Sequence, residues 1–263
     1  MRLFILSLSF ITLLFSCGQN DNKTKDADTR SQAVQSAIEI SYPVPDELEY
    51  NKKRDENADG SQPMNNSFYP IGWSKEGMFA YAEETSHEAC CYDVNVYIQD
   101  TNTDSVLWKW SYEVVEETIP FEKIWKDSTA VFTKKLNKYG IMSQTFTSLE
   151  KFPFKTATNE YDFQITNKMI EDGEDNPINN TTITLLKNGV ENKHIYFKEY
   201  GEAIYESEPN ELYSEALTNK IAGYLKNPYE NRIALFYITE ERGYEGPPNV
   251  LKFQIIGHLF DNK

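Results

Sequence analysis

Strict alternation is the commonest pattern along this chain. In YDVNVYIQ, residues 92–99, Val94, Val96 and Ile98 point one way while Asp93, Asn95 and Gln99 point the other, which predicts a half-buried strand. The following DTNTD is rich in side chains that hydrogen-bond their own backbone, and DSVLWKWSY then resumes the alternation with Val106, Trp108, Trp110 and Tyr112 on one face. The two runs predict a hairpin. TTITLLKNGVENKHIYF predicts a second one, because Asn188-Gly189 tolerates the positive φ that tight hairpin turns demand. YDFQI at 161–165, RIALFYIT at 232–239 and VLKFQIIGH at 250–258 complete the clearest strands.

Two segments carry a helical period instead. In PFEKIWKDSTAVFTKKLNKYG, Phe121, Ile124, Trp125, Phe132, Leu136 and Tyr139 fall on one stripe, Pro120 suits the first turn and Gly140 the stop. ELYSEALTNKIAGYLKNP places Leu212, Ala216, Leu217, Ile221, Tyr224 and Leu225 on a stripe before Pro228, which predicts a second helix with Gly223 weakening its last turn. The expected class is α+β: a mostly antiparallel β assembly, an open sheet or sandwich, with two packed helices.

IGWSKEGMFAYAEE resembles the opening of a blade in the TolB-like propellers, and NPYENRIALFYITEE is a looser echo, with Asn231 in the place of Gly77 and Ala234 in that of Ala80. A closed propeller repeats such a unit every 40 to 45 residues or so, at least four times. Two copies separated by 231 − 77 = 154 positions do not meet that requirement, so propeller-blade-like hairpins in an open sheet or sandwich are expected. The strand running into Arg242-Gly243-Tyr244-Glu245-Gly246-Pro247 looks like the C-terminal signature of a family of predicted secreted bacterial proteins of unknown function. Tyr139-Gly140-Ile141 is similar to the end of that family's central helix. The resemblance implies secretion and fold, and lends no catalytic residue. RGYEGPP reads as a structural turn whose glycines serve backbone geometry, or as a binding loop.

The N-terminus reads as an address. Arg2 is followed by an apolar run from Leu3 to Phe15, broken only by Ser7, Ser9 and Thr12, as in a secretory signal peptide. A membrane-spanning helix needs roughly 20 apolar residues, more than this run offers. Leu14, Phe15, Ser16 and Cys17 resemble the lipobox of bacterial lipoproteins, with Phe15 bulkier than is usual at its position. That resemblance implies cleavage after Ser16, diacylglycerol on the Cys17 thiol and acylation of the new N-terminus. The expected organisation is a lipoprotein signal peptide at 1–16, a polar flexible tether at 17–35 and a single β-rich globular domain at 36–263.

Charge narrows the partners. The chain carries 41 acidic and 26 basic residues for a formal charge of −15, and loss of Arg2 with the signal peptide makes it −16. Without a basic cluster to neutralise phosphates, such a chain is not a nucleic-acid binder. With Cys17 acylated, only Cys90 and Cys91 remain, so no disulfide framework holds the domain together.

The cluster HEACC offers His87, Glu88, Cys90 and Cys91 as metal ligands, although zinc sites separate paired cysteines by two to four residues. Neighbouring strand residues also point to opposite faces. Cys90 and Cys91 read as free thiols, or as a strained vicinal disulfide, since adjacent Cα atoms lie about 3.8 Å apart against the roughly 4.4–6.8 Å a disulfide prefers. Trp108, Trp110 and Tyr112 form a stacking platform for sugars or part of a core. Asp172, Glu174 and Asp175 in EDGEDN offer carboxylates for Ca²⁺ without the EF-hand order of ligands, and read otherwise as a solvated loop. None of His87, His194 and His258 sits in an HExxH pair, and the sequence has no GxSxG, P-loop or GxGxxG.

No cofactor is expected, and no catalytic residue is assigned. The leading expectation is an exported lipoprotein of a diderm bacterium, anchored to the envelope through Cys17 on its periplasmic side or at the cell surface. Its β-rich domain would bind a glycan, peptide or envelope protein. A hydrolase with an unrecognised carboxylate pair and a structural envelope protein are the alternatives.

Overall fold

The computed structural model describes residues 42–48, 66–87, 91–115, 119–170, 176–200, 202–203, 212–213, 215–243 and 249–260. In chain order the elements are β1 (Ser67–Trp73), β2 (Met78–His87), β3 (Cys91–Asp100), β4 (Ser105–Val115), α1 (Phe121–Lys138), β5 (Met142–Ser143), β6 (Phe154–Lys155) and β7 (Glu160–Met169). They continue as β8 (Ile178–Lys187), β9 (Val190–Glu199), β10 (Glu202–Ala203), β11 (Leu212–Tyr213), β12 (Ala216–Lys226), β13 (Arg232–Glu241) and β14 (Val250–Leu259). Three open antiparallel sheets result: a first in the order β4-β3-β2-β1-β5, a second in the order β6-β7-β8-β9 and a third in the order β12-β13-β14. β10 and β11 pair as a separate two-stranded ribbon. The fold is mostly antiparallel β.

Side-chain alternation stacks these sheets into layers. Along β2, Ala80 and Ala82 face α1 while Phe79 and Tyr81 face the third sheet. The small alanines give room for the large helix side chains Phe121, Trp125 and Phe132, all buried. Along β13, Ala234, Phe236 and Ile238 meet the first sheet, and Ile233, Leu235 and Tyr237 meet Ile183, Leu185 and Phe260 in the core shared with the second sheet. The layer order is therefore α1, first sheet, third sheet, second sheet. Burial on both faces explains the unbroken apolar run from Ile233 to Ile238, and each fully buried large side chain contributes about 1.5–3 kcal/mol.

The same stacking buries the polar side of β3. Val94, Val96 and Ile98 are fully buried against α1, as the alternation predicts, yet Asn95 and Gln99 on the opposite face are only 5% and 3% exposed. Gln99 Nε2 donates to the Ile255 carbonyl at 2.9 Å, so its amide is satisfied across the sheets instead of by water. The expected hairpins are present: β3 pairs with β4, and β8 pairs with β9 through Asn188-Gly189 at φ 53° and 76°. The blade-like stretch from Ile71 forms the β1–β2 hairpin, within an open sheet.

One expectation is overturned. The helix foreseen from ELYSEALTNKIAGYLKNP is strand: residues 212–213 form β11 and Ala216–Lys226 form β12, paired with β13. The register slips between Ala216 and Thr218 and again between Ile221 and Gly223, and each slip shifts the phase of the alternation. A period of two broken twice imitates a helical stripe. Gly223 holds φ 149°, and a Cβ there would lie 2.4 Å from the Glu150 carbonyl oxygen. Gly223 thus marks a bulge and a close backbone approach. Among the described residues α1 is the one helix, with its apolar stripe and its end before Gly140 as foreseen and Pro120 at the N-cap, just before the first turn.

Candidate functional site

The four segments that end near one another around the third sheet leave a cleft of about 340 Å³ lined by Lys198, Glu199, Tyr200, Glu215, Ala216, Glu241 and Lys252. Its volume falls at the small end of the 300–1,000 Å³ usual for ligand sites. Alternation on β9 sends Lys198, and Tyr200 just beyond the strand, toward the third sheet. There the Tyr200 hydroxyl shares a 2.7 Å hydrogen bond with that of Tyr237. Asn219 Nδ2 donates to the Tyr237 oxygen at 2.8 Å and to Thr181 Oγ1 at 2.7 Å, so the wall behind the cleft is a satisfied polar network. Buried Ala216 pairs with Glu241 in the β12–β13 ladder and takes little space.

Charge is unevenly distributed there. Glu241 is buried and is neutralised by Lys252 Nζ at 2.6 Å. Lys198 Nζ lies 4.5 Å from the centroid of the Tyr200 ring. Burial pulls the Lys198 ammonium below the ordinary lysine range; Glu241 opposes that pull and Lys252 adds to it. Burial pushes the Tyr200 hydroxyl well above the ordinary tyrosine range, so it stays protonated. Glu215 is exposed at the mouth, and Glu199, beside Lys198 on β9, is exposed on the strand's opposite face. The arrangement can hold a polar ligand by hydrogen bonds and opposite charges, with the Tyr200 ring as an apolar wall.

Sites read from the sequence lie elsewhere. His87 and Cys91 are cross-strand partners at the end of the β2–β3 ladder, while Glu88 and Cys90 lie outside the described residues. Asp172, Glu174 and Asp175 lie outside them too, as do Cys17 and the stretch from Tyr244 to Pro247. Among the described residues no three His, Cys, Asp or Glu side chains gather as a metal-holding group.

Trp108 and Trp110 are half-buried at the margin of the α1 core. Phe132 of α1 stands edge-on to both, with centroids at 6.4 and 5.0 Å. Tyr112 stacks on Trp110 at 5.9 Å and is 41% exposed. His194 is exposed on β9, its Nδ1 2.8 Å from Thr184 Oγ1.

Two carboxyls on β2 have raised pKa values. Burial is the main cause at both; Tyr97 and Lys109 pull Glu83 back, and Tyr69 pulls Glu84 back while Glu47 pushes it up. As neighbours on one strand they point to opposite faces, so they do not converge as a hydrolytic pair does.

The residues lining the cleft belong to no sequence motif, and they come from four separated segments. Comparison of the chain with protein-family models, with curated proteins and with solved structures finds no match.

Proposed function

We propose that this chain is an exported lipoprotein, anchored to the cell envelope through lipid on Cys17 and tethered by residues 17–35, whose layered β domain binds a small charged envelope or extracellular ligand. The cleft between β9 and the third sheet carries the reading, because it brings Lys198, Tyr200, Glu215, Glu241 and Lys252 to one concave surface backed by satisfied hydrogen bonds. Concave sites with a few convergent polar groups are where small molecules and peptide ends bind. The lipobox and polar tether support the anchored location. The division of labour is then an acyl anchor holding the domain at a membrane and a cleft sampling what diffuses past it.

The test is retention of a ligand. The full chain is incubated with the small-molecule and peptide fraction of envelope extracts, recovered by rapid filtration, and its bound material identified by mass spectrometry. A compound retained by the parent and lost from the Lys198→Met, Glu215→Gln double variant is the expected result. Retention of nothing, or equal retention by the double variant, contradicts the reading.

A further inference from the structure

Charges in the cleft are sorted by depth, and the sorting selects a class of ligand. Glu241 and Lys252 neutralise each other at 2.6 Å. Lys198, half-buried, has no ion pair in contact among the described residues; its ammonium rests on the Tyr200 ring and shares Glu241 with Lys252 at longer range, so the inner group carries one positive charge in excess. Glu215 stands exposed at the mouth, likewise without a cationic partner among the described residues, while Glu199 is on the opposite face of β9 from Lys198. A ligand entering this site thus meets the negative Glu215 first and a positive group behind it.

We propose that the cleft takes a zwitterion, a free amino acid or a dipeptide of small residues, with its carboxylate against Lys198 and its ammonium held by Glu215. This rests on the reading of the cleft as a binding site. A simple dianion pays repulsion from Glu215 and from a chain that is strongly negative overall. A diamine suits the mouth and repels Lys198. A ligand with both signs, negative end leading, satisfies both Lys198 and Glu215. The carboxylate also restores to the Lys198 ammonium the stabilisation that burial removes. Buried Ala216 and the face of Tyr200 bound the space beside these groups, which suits methyl-sized side chains and a cleft of about 340 Å³.

Calorimetric titration of the full chain with alanyl-alanine, its N-acetyl form and its C-terminal amide tests this directly. Free alanyl-alanine is expected to bind, and each blocked form to bind at least about tenfold more weakly, since each loses a charged hydrogen bond. Lys198→Met should abolish the preference for the free acid over the amide. Glu215→Gln should weaken the preference for the free amine over the acetyl form. Thermal melts establish that both variants fold. Equal binding of all three compounds overturns the inference. If the dipeptides fail to bind while another envelope compound is retained in the cleft, the inference falls and the binding function stands. If nothing is retained at all, both fall.

Discussion

The guanidinium of Arg232, 4% exposed, donates through Nη1 to the carbonyl oxygen of Thr101 at 3.3 Å, joining the third sheet to the turn after β3 across 131 positions of sequence. The DTNTD turn is therefore a rivet between layers. Thr101 Oγ1 donates to the Gly77 carbonyl at 2.5 Å, and Asp104 accepts from the Gly257 N–H at 2.7 Å. Arg232 Nε is in turn held by Glu230 at 2.5 Å.

Removing the guanidinium strands a partly buried carboxylate and a buried carbonyl. Arg232→Met should lower stability by about 3–5 kcal/mol, seen as a lower denaturant midpoint at unchanged slope. Lys123→Met breaks a pair whose side chains are both 64% exposed and should cost at most about 1 kcal/mol. Equal effects of the two substitutions would remove the rivet.

Glu84 makes stability depend on pH with a definite sign. Its carboxylate accepts from the Tyr69 hydroxyl at 2.5 Å, yet burial raises its pKa above the ordinary 4.5. A raised acid binds its proton more tightly in the folded chain. The resulting stabilisation is complete below pH 4.5 and is lost as pH rises through the folded value. Glu84→Gln, which cannot ionise, should flatten the melting profile above pH 4.5 and melt above the parent at neutral pH. Parallel profiles would mean that Glu84 titrates as an ordinary carboxylate.

Trp110 and Phe132 separate a core from a sugar platform. Phe132 is 1% exposed beneath both tryptophans, and Phe132→Ala should cost about 3–5 kcal/mol. Trp110→Ala should cost less, because its ring is only half-buried, and should leave binding to immobilised glycans unchanged. Glycan binding that disappears in Trp110→Ala with stability intact would restore the platform.

The proposed membrane attachment turns on one sulfur atom. Cys17→Ser should abolish incorporation of labelled fatty acid and move the protein from the membrane to the soluble fraction, because stable anchoring needs more than one acyl chain. A variant that stays with the membrane would place the anchor elsewhere.

The helix α1 was legible because its stripe keeps step over five turns and stops at a glycine, as local physics requires. The hairpins were legible for the same reason, their alternation and turn residues lying side by side in the chain. β12 was not, because its two register slips are set by pairing with β13 and by the approach of Glu150 to Gly223, neither of which is local. Two-sided burial of Asn95 and Gln99 was equally hidden, since only the stacking of the third sheet makes their face an interior. The cleft was the least legible feature. Lys198, Glu215, Glu241 and Lys252 are ordinary charged residues in separate segments, and the one local hint is a lysine on the inward phase of β9.

Amide hydrogen exchange of the full chain, with and without the retained envelope ligand, tests most directly whether this cleft is where the protein binds. Slower exchange is predicted at residues 198–200, 215–216, 241 and 252, with the α1 face unchanged. Protection at Trp108 to Tyr112 or on the outer face of the second sheet, with the cleft unaffected, would contradict the account.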